Sequence, residues 1–412
     1  MSEMLQGEKM KDEFLEKARR ALNKRSKYGL DVDVSKYVPV EPNMNELSSL
    51  KEISPELEKV LRKVGIDVEE EKRIGSYLQV DQKSIYSWSS HPGVEVLSLS
   101  EAVQLDWFKE YFWNAVPADL DKYTALTAIY GGEGYVIRVK KNVKVDMPVQ
   151  ACLIVKGRRE LQTPHNIIIA EEGSRLHVVT GCTVAPESFG LHTGISEFYI
   201  GRKATVTFTM IHSWNKATHV RPRTGVIVEE EGKFISHYVN VGEISSLQTF
   251  PKVRLSGSNS TASLISTIVG KGSAMIDVGG EIIFEAENCR GEVSSRNLAK
   301  DNSSIIARGR LKGLVNNVKG HTECQGLLIS NEASITAIPE LVAKARDVEL
   351  THEAAIGRIE EDEIFYLMSR GLSREEATSL IVKGFLEVKV EGIPEILSRY
   401  VSKVLEKAAS SL

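Results

Sequence analysis

Cysteine is scarce in this chain and never closely paired. Cys152, Cys182, Cys289 and Cys324 are the only four in 412 residues. The lack of any C-x-x-C spacing disfavours a zinc site, or a four-thiolate cluster held by one chain. A disulfide framework is equally disfavoured in a large chain of cytosolic character. No apolar run approaches the roughly 20 residues that span a bilayer. The first residues, MSEMLQGEKMKDEF, are polar and contain no signal-peptide apolar segment. A cytoplasmic protein with no membrane segment is expected. Long runs of one charge are also missing. Lys and Arg total 52 and Asp and Glu 56, for a net charge of −4, and basic clusters are short, as at Lys156–Arg159. That excludes a nucleic-acid footprint. A P-loop is absent too. Gly270-Lys271-Gly272-Ser273 has the GK pair, but Gly follows Lys271 and Ile265 stands five positions before Gly270.

What is present is ordinary in amount, with 42% hydrophobic and 26% charged residues, so a folded globular chain is expected. The length suits two or three domains or one elongated one. Residues 1 to about 115 read as helix-rich. Lys9–Tyr28 places Met10, Phe14, Leu15, Ala18 and Leu22 at helical spacing. Pro55-Glu56-Leu57 opens a second helix. Ser100–Ala115 reads as a third, whose stripe of Trp107, Phe108, Phe112 and Trp113 is assigned to the core.

From Gly134 the period becomes two. Ile137, Val139, Val143 and Val145 alternate with polar neighbours, as do Val206, Phe208 and Met210. Short strands run to about Leu350, with turns at Glu172-Gly173, Glu231-Gly232, Gly257-Ser258-Asn259, Gly291, Asp301-Asn302 and Asn331. Sandwich, barrel and β-helix all remain open, and no internal repeat is legible. After Gly357 the helical period returns. Ile364, Phe365, Leu367 and Met368 fill one helix, ended by Gly371. Ser373-x-x-Glu376 caps a second, expected to bury Ala377, Leu380 and Ile381. Pro394 starts a third with Ile396, Tyr400, Val401 and Val404. The acidic run Glu360–Glu363 is read as charge opposing a helix dipole rather than as a metal site. The resulting division is 1–133 helix-rich, 134–356 strands and 357–412 helical.

The most telling stretch is His321–Leu372. Cys324 precedes the apolar run Leu327-Leu328-Ile329, and His352-Glu353 follows 28 residues later. Thiolate, imidazole and carboxylate all ligate iron, and one turn of a coil would bring them together. This stretch resembles the C-terminal core of the SufB/SufD family, scaffold proteins of the Suf iron–sulfur cluster assembly system. So do Ile167–Pro186, His212-Ser213-Trp214 and Glu361–Phe385, and the likeness covers about Gly134 to Phe385.

The resemblance implies a mainly β fold, a right-handed parallel β-helix flanked by N- and C-terminal helical regions. It implies a transient iron–sulfur cluster as cargo, with Cys324, Glu353 and His352 as candidate ligands. Cys182, in GCTVAP, matches a family cysteine implicated in accepting sulfur and passing it through the β-helix; a buried cysteine closing a β-turn is the alternative. His212 and Trp214 stand where the family has Q-N-W, so Trp is kept and Gln is replaced. Val184 is an extra residue in the Cys182 segment. Cys152 and Cys289 are read as small buried hydrophobes. Cys324 and Glu353 are SufB-like, while Asp347-Val348 and Ile356-Gly357 are SufD-like. A single scaffold working as a homodimer, or paired with a paralogue, fits that mixture.

The resemblance further implies a separate SufC-type ABC ATPase docking on the C-terminal helices, with Phe365, Tyr366 and Arg370 as candidate contacts, and a sulfur donor protein. Flavin binding is left open. The protein is thus read as an assembly scaffold rather than an enzyme. The alternative is a non-catalytic SufD-like structural partner that ligates no cluster, against which Cys324 and Glu353 argue. A secreted carbohydrate-active β-helix enzyme is a different class. It needs paired acids, and the strand region has no Asp cluster.

Overall fold

The computed structural model describes residues 13–26, 29–388, 390 and 395–410. Its centre is a parallel β-solenoid of about eight turns, with helices at both ends. One wall stacks Gly75–Val80, Val149–Val155, Arg175–Val184, Thr205–Ser213, Lys233–Asn240, Thr261–Gly270, Arg290–Ala299, Val318–Leu328 and Val348–Arg358, each parallel to the next. The opposite wall stacks Tyr135–Val139, His165–Ala170, Ile195–Ile200, Arg223–Val228 and Lys252–Leu255. Early coils carry an extra short strand, such as Phe189–His192 or Ser246–Gln248. Met275–Phe284 spans both positions. Its first residues pair with Ser246–Gln248 and its last with Lys252–Leu255. Ser304–Gly313 and Ser334–Ala343 then continue as single long strands. Gly279 sits in the middle of this merger, where a Cβ would lie 1.8 Å from the Arg308 carbonyl oxygen.

Alternation along each strand turns alternate side chains inward. Phe198, Phe208 and Phe234 meet there with ring centroids 4.8 and 5.0 Å apart. The outward-facing Ile211, Val239, Val269, Leu298 and Leu327 are buried as well, beneath Leu57 and Leu61 of the helix Pro55–Lys63 and Val382 and Leu405 of the C-terminal helices. The helix Pro55–Lys63 and the C-terminal helices therefore pack on one wall, while Ala18 and Ala21 of the N-terminal helix pack on Ala125. Each fully buried aliphatic or aromatic side chain contributes roughly 1.5–3 kcal/mol.

A repeat is present after all. Gly173, Lys203, Glu231, Asn259, Asn288 and Asn317 each adopt positive φ, at intervals of 28 to 30 residues. They mark one corner of successive coils. Only one of the six is glycine, so no residue pattern announces the period.

Three other expectations change. Ser100–Ala115 is not one helix. The turn Leu99–Ala102, with a Ser98/Glu101 capping box, is followed by a 3-10 segment, Asp106–Tyr111. The backbone N–H groups of Trp113, Ala115 and Val116 donate to the buried carboxylate of Glu197, which pulls this stretch onto the solenoid. Phe108 is buried as expected, but Phe112 is 39% exposed. The early region also contains strands: Gly75–Val80 pairs in parallel with Val149–Val155, and Lys83–Ser89 and Val94–Ser98 add antiparallel edges. Leu380 is exposed, and Val382 and Leu386 fill the core beside Ala377 instead. The Ser373/Glu376 capping box forms as expected. The N-terminal helix is seen over residues 13–21. Residues 9–12, Pro394 and the Ile396 side chain lie outside the described residues.

Candidate functional site

Cys324 lies near the end of the solenoid, on Val318–Leu328, with only Val348–Arg358 beyond it in that wall. Cys152, Cys182 and Cys289 are buried, and Cys324 alone of the four cysteines is partly exposed. Burial pushes its thiol up, opposed by hydrogen bonds from Ser295 and Asn297. The Asn297 amide donates to its Sγ at 3.7 Å.

The register fixes its relation to the His-Glu pair. Cys324 is opposite Ala354, Thr322 opposite His352, and Glu323 opposite Glu353. Alternation then puts Cys324 and His352 on the inner face and Glu353 on the outer face beside Glu323. The outward direction of Glu323 is clear from its partners, since Ser294 Oγ donates to it at 3.0 Å and Gln325 also contacts it. Both His352 and Glu353 are exposed. Among the described residues, no three His, Cys, Asp or Glu side chains converge as a metal site. The last coil is open. Among the described residues, Val348–Arg358 and Ser334–Ala343 each pair on one edge only, and Leu341 and Ile356 are 36% and 40% exposed.

Two inner rows run back from this end. One is Met210, Tyr238, Ser266, Ser295 and Cys324, in direct register from coil to coil. A cavity of about 60 Å³ lies along it, lined by Met210, Tyr238, Ser266 and Ser295 and closed across the core by Thr224 and Thr249. A narrow crevice beside Cys324 shares Val293 and Ser295 with that cavity and reaches residues 353–354 of the last strand. The second row is Cys182, His212, Asn240, Ile268 and Asn297. Cys182 touches the first row, its Sγ 3.6 Å from Met210 Sδ.

Cys182, His212 and Trp214 are thus brought together inside the solenoid. The rings of His212 and Trp214 are 5.4 Å apart, and His192 lies 5.2 Å from Trp214. His212 Nδ1 shares a hydrogen bond with the Tyr238 hydroxyl at 2.7 Å. Burial holds His192 neutral, with its pKa lowered to about 3, and pushes His212 well below its ordinary value. Burial also pushes the Cys182 thiol well up. As placed, Cys182 is a protonated interior thiol, not an exposed thiolate. Met210, Tyr238, Asn240, Ser295 and Asn297 escape a motif-based reading. The signal that finds them is the coil interval, which stacks residues 28 to 30 apart.

At the C-terminus, Glu361–Ser369 presents Phe365 and Tyr366, 55% and 59% exposed. Arg370 packs on Tyr366, its guanidinium 5.3 Å from the ring centre and donating to the hydroxyl at 3.1 Å. The three candidate contact residues therefore form one exposed patch.

Fold and site define a β-solenoid protein with a reachable thiol at an open last coil and a polar interior row behind it. Residues 153–385 match the family model described as SUF system FeS cluster assembly, SufBD core domain. An Iron-sulfur cluster assembly SufBD family protein of Methanothermobacter thermautotrophicus is 40% identical over 405 residues, 97% of this chain and 99% of its own. One from Archaeoglobus fulgidus is 45% identical over 353 residues, 85% and 95% of the two chains. One from Staphylococcus saprophyticus is 30% identical over 380 residues, 89% and 80%. The chain belongs to the SufBD family of iron–sulfur cluster assembly proteins, which implies a role in that assembly. Among the described residues, no helix is long and apolar enough to cross a membrane.

Proposed function

We propose that this protein is a scaffold on which a labile iron–sulfur cluster is built and handed on. The observation that carries this reading is the position of Cys324, the one partly exposed cysteine, next to the open last coil. The cluster is cargo rather than a resident cofactor. A thiolate supplies a soft ligand, and His352 and Glu353 supply harder, more replaceable ones. That mixture suits release. One chain brings too few converging ligands, since no three gather among the described residues. Unpaired strand edges invite pairing, and a two-fold contact between last coils would double the ligand set. A homodimer, or a pair with a paralogue, is therefore part of the proposal.

Energy comes from a separate ABC-type ATPase docking at Phe365, Tyr366 and Arg370. Their exposure on a helical patch supports this, as does the lack of a P-loop in the chain. Sulfur delivered to Cys182 would travel along the inner rows to Cys324. A second reading, a SufD-like structural partner that ligates nothing, is favoured by the sparse single-chain ligand set. Anaerobic reconstitution with iron and sulfide separates the two. Visible cluster absorption that disappears in Cys324→Ser supports the scaffold. No absorption from the wild-type homodimer supports the structural partner.

A further inference from the structure

A groove of about 800 Å³ runs along the outer face of the wall opposite Cys324. It crosses five adjacent strands, from Arg223 through Lys252, Glu281 and Arg310 to Glu340, a span of roughly 19 Å at about 4.8 Å per strand. Val116, Pro117 and Leu120 give it an apolar side. Phe250 lines it too, its ring centre 4.2 Å from the Arg308 guanidinium. A fixed polar chain holds the arginines in place. Arg223 donates to Asp121 at 2.8 Å and to Gln248 at 2.7 Å, Gln248 donates to Asp277 at 3.3 Å, and Arg308 donates to Asp277 at 2.6 Å. Both carboxylates are buried. Seven cationic side chains line the groove against three carboxylates, so its lining is positive. Most of these cations are matched. Arg310 lies 3.5 Å from Glu281 and 3.3 Å from Glu340, Arg254 lies 3.0 Å from Glu285, and Arg25 lies 3.3 Å from Asp31. Two are not matched. Among the described residues, Lys252 forms no ion pair, and Lys24 donates only to the Asp119 carbonyl oxygen. Both lysines are exposed. Ion pairs between coils explain the matched arginines, but they leave the two lysines and the apolar side without a role.

We propose that this groove docks an extended segment of a partner protein in which acidic and apolar residues alternate. Successive side chains of an extended segment point opposite ways, so one set can meet charge while the other meets apolar surface. The acidic set pairs with Lys24 and Lys252. The apolar set covers Val116, Pro117, Leu120 and Phe250. Length favours a chain over a single inorganic anion, which would fill one end only. An extended segment advances about 3.3 Å per residue, so about six residues match the span. The arginines are already held by carboxylates and Gln248, so docking has little left to order. Arg308 gives the groove its place in assembly, because it also lines the crevice beside Cys324. A docked segment thus lies one side chain from that crevice, and the partner is a protein that accepts the cargo there. This last step rests on the scaffold reading, whereas the docking itself does not.

The test uses the full chain and a fluorescein-labelled peptide of about six residues that alternates Glu and Leu. Fluorescence anisotropy reads binding. The Glu-Leu peptide should bind, and its Gln-Leu counterpart should bind roughly tenfold more weakly, since it brings no charge. Lys252→Glu should weaken the Glu-Leu peptide by roughly tenfold or more, because it sets like charges together. Lys24→Glu should do the same from the other side of the groove. Both lysines are exposed, so the circular dichroism of each variant should match the native protein. Equal affinity for the two peptides overturns the docking site, as does undiminished affinity in both lysine variants. Binding of inorganic pyrophosphate with no binding of the Glu-Leu peptide also overturns it, and would make the groove a small-anion site. Lys252→Glu should leave the absorption of a cluster built from free iron and sulfide unchanged. The scaffold reading is judged separately, by whether Cys324→Ser still builds that cluster.

Discussion

Cys324 and His352 share the inner face of adjacent parallel strands, two positions out of register, while Glu353 points to the opposite face. This geometry ranks the candidate ligands. Cys324→Ser should abolish the visible absorption of a reconstituted cluster without changing the circular dichroism of the fold. His352→Ala should lower the absorption more than Glu353→Ala, because the imidazole shares the face of the thiol. The reverse order, with Glu353 the more damaging loss, would mean that the cluster sits across the strand edge rather than on the inner face.

The open last coil predicts self-association. Ile356, 40% exposed on the final strand, is an apolar group at an unpaired edge. Ile356→Asp should convert a dimer to a monomer at micromolar concentration, read by light scattering. A wild-type mass equal to one chain at that concentration would rule out the homodimer.

The sequence reveals the walls of this molecule better than its interior. Period-two alternation at Val206, Phe208 and Met210 marks a strand correctly. The resemblance, not the alternation, selects a solenoid among β folds. The coil interval is hidden because positive φ is borne by Lys203, Glu231 and three asparagines as well as by Gly173. Without that interval, Asn240 cannot be placed beside His212, nor Ser295 beside Cys324. The 100–115 segment misleads for another reason. Its aromatic spacing is helical, but a distant carboxylate, Glu197, captures the backbone N–H groups that a helix would use. Long-range capture of this kind leaves no local mark.

The exposed patch of Phe365, Tyr366 and Arg370 predicts a partner contact at the C-terminal helices. Phe365→Glu should weaken binding of the ABC-type ATPase by roughly 2 kcal/mol, about thirtyfold, as expected for an aromatic anchor. The solenoid should stay intact, because Phe365 is 55% exposed and Ile364 carries the helix's buried contact. Calorimetric titration of purified ATPase into the variant checks this, and unchanged affinity would move the docking site elsewhere.

Buried histidines predict how stability follows pH. Burial lowers His177, His219 and His237 to about 4 and His192 to about 3. Each is neutral in the fold but takes up a proton near pH 6.5 once unfolded. The unfolded chain therefore binds more protons between about pH 6.5 and 4, and stability must fall as pH drops through that window. Glu160 acts the other way. Burial raises it to about 7, so its contribution is complete below the ordinary carboxylate range and is lost as pH rises toward 7. Burial lowers His212 as well and raises Asp81 as it does Glu160, so five histidines against two carboxylates should leave a net loss on acidification. Urea midpoints measured from pH 7.5 to 4.5 should decline steadily. A His192→Gln variant should show a shallower decline over the same range, because one proton-binding group of the unfolded state has been removed. A flat profile in the wild-type protein would mean that these rings are solvated in solution and that the solenoid interior is more open than its packing indicates.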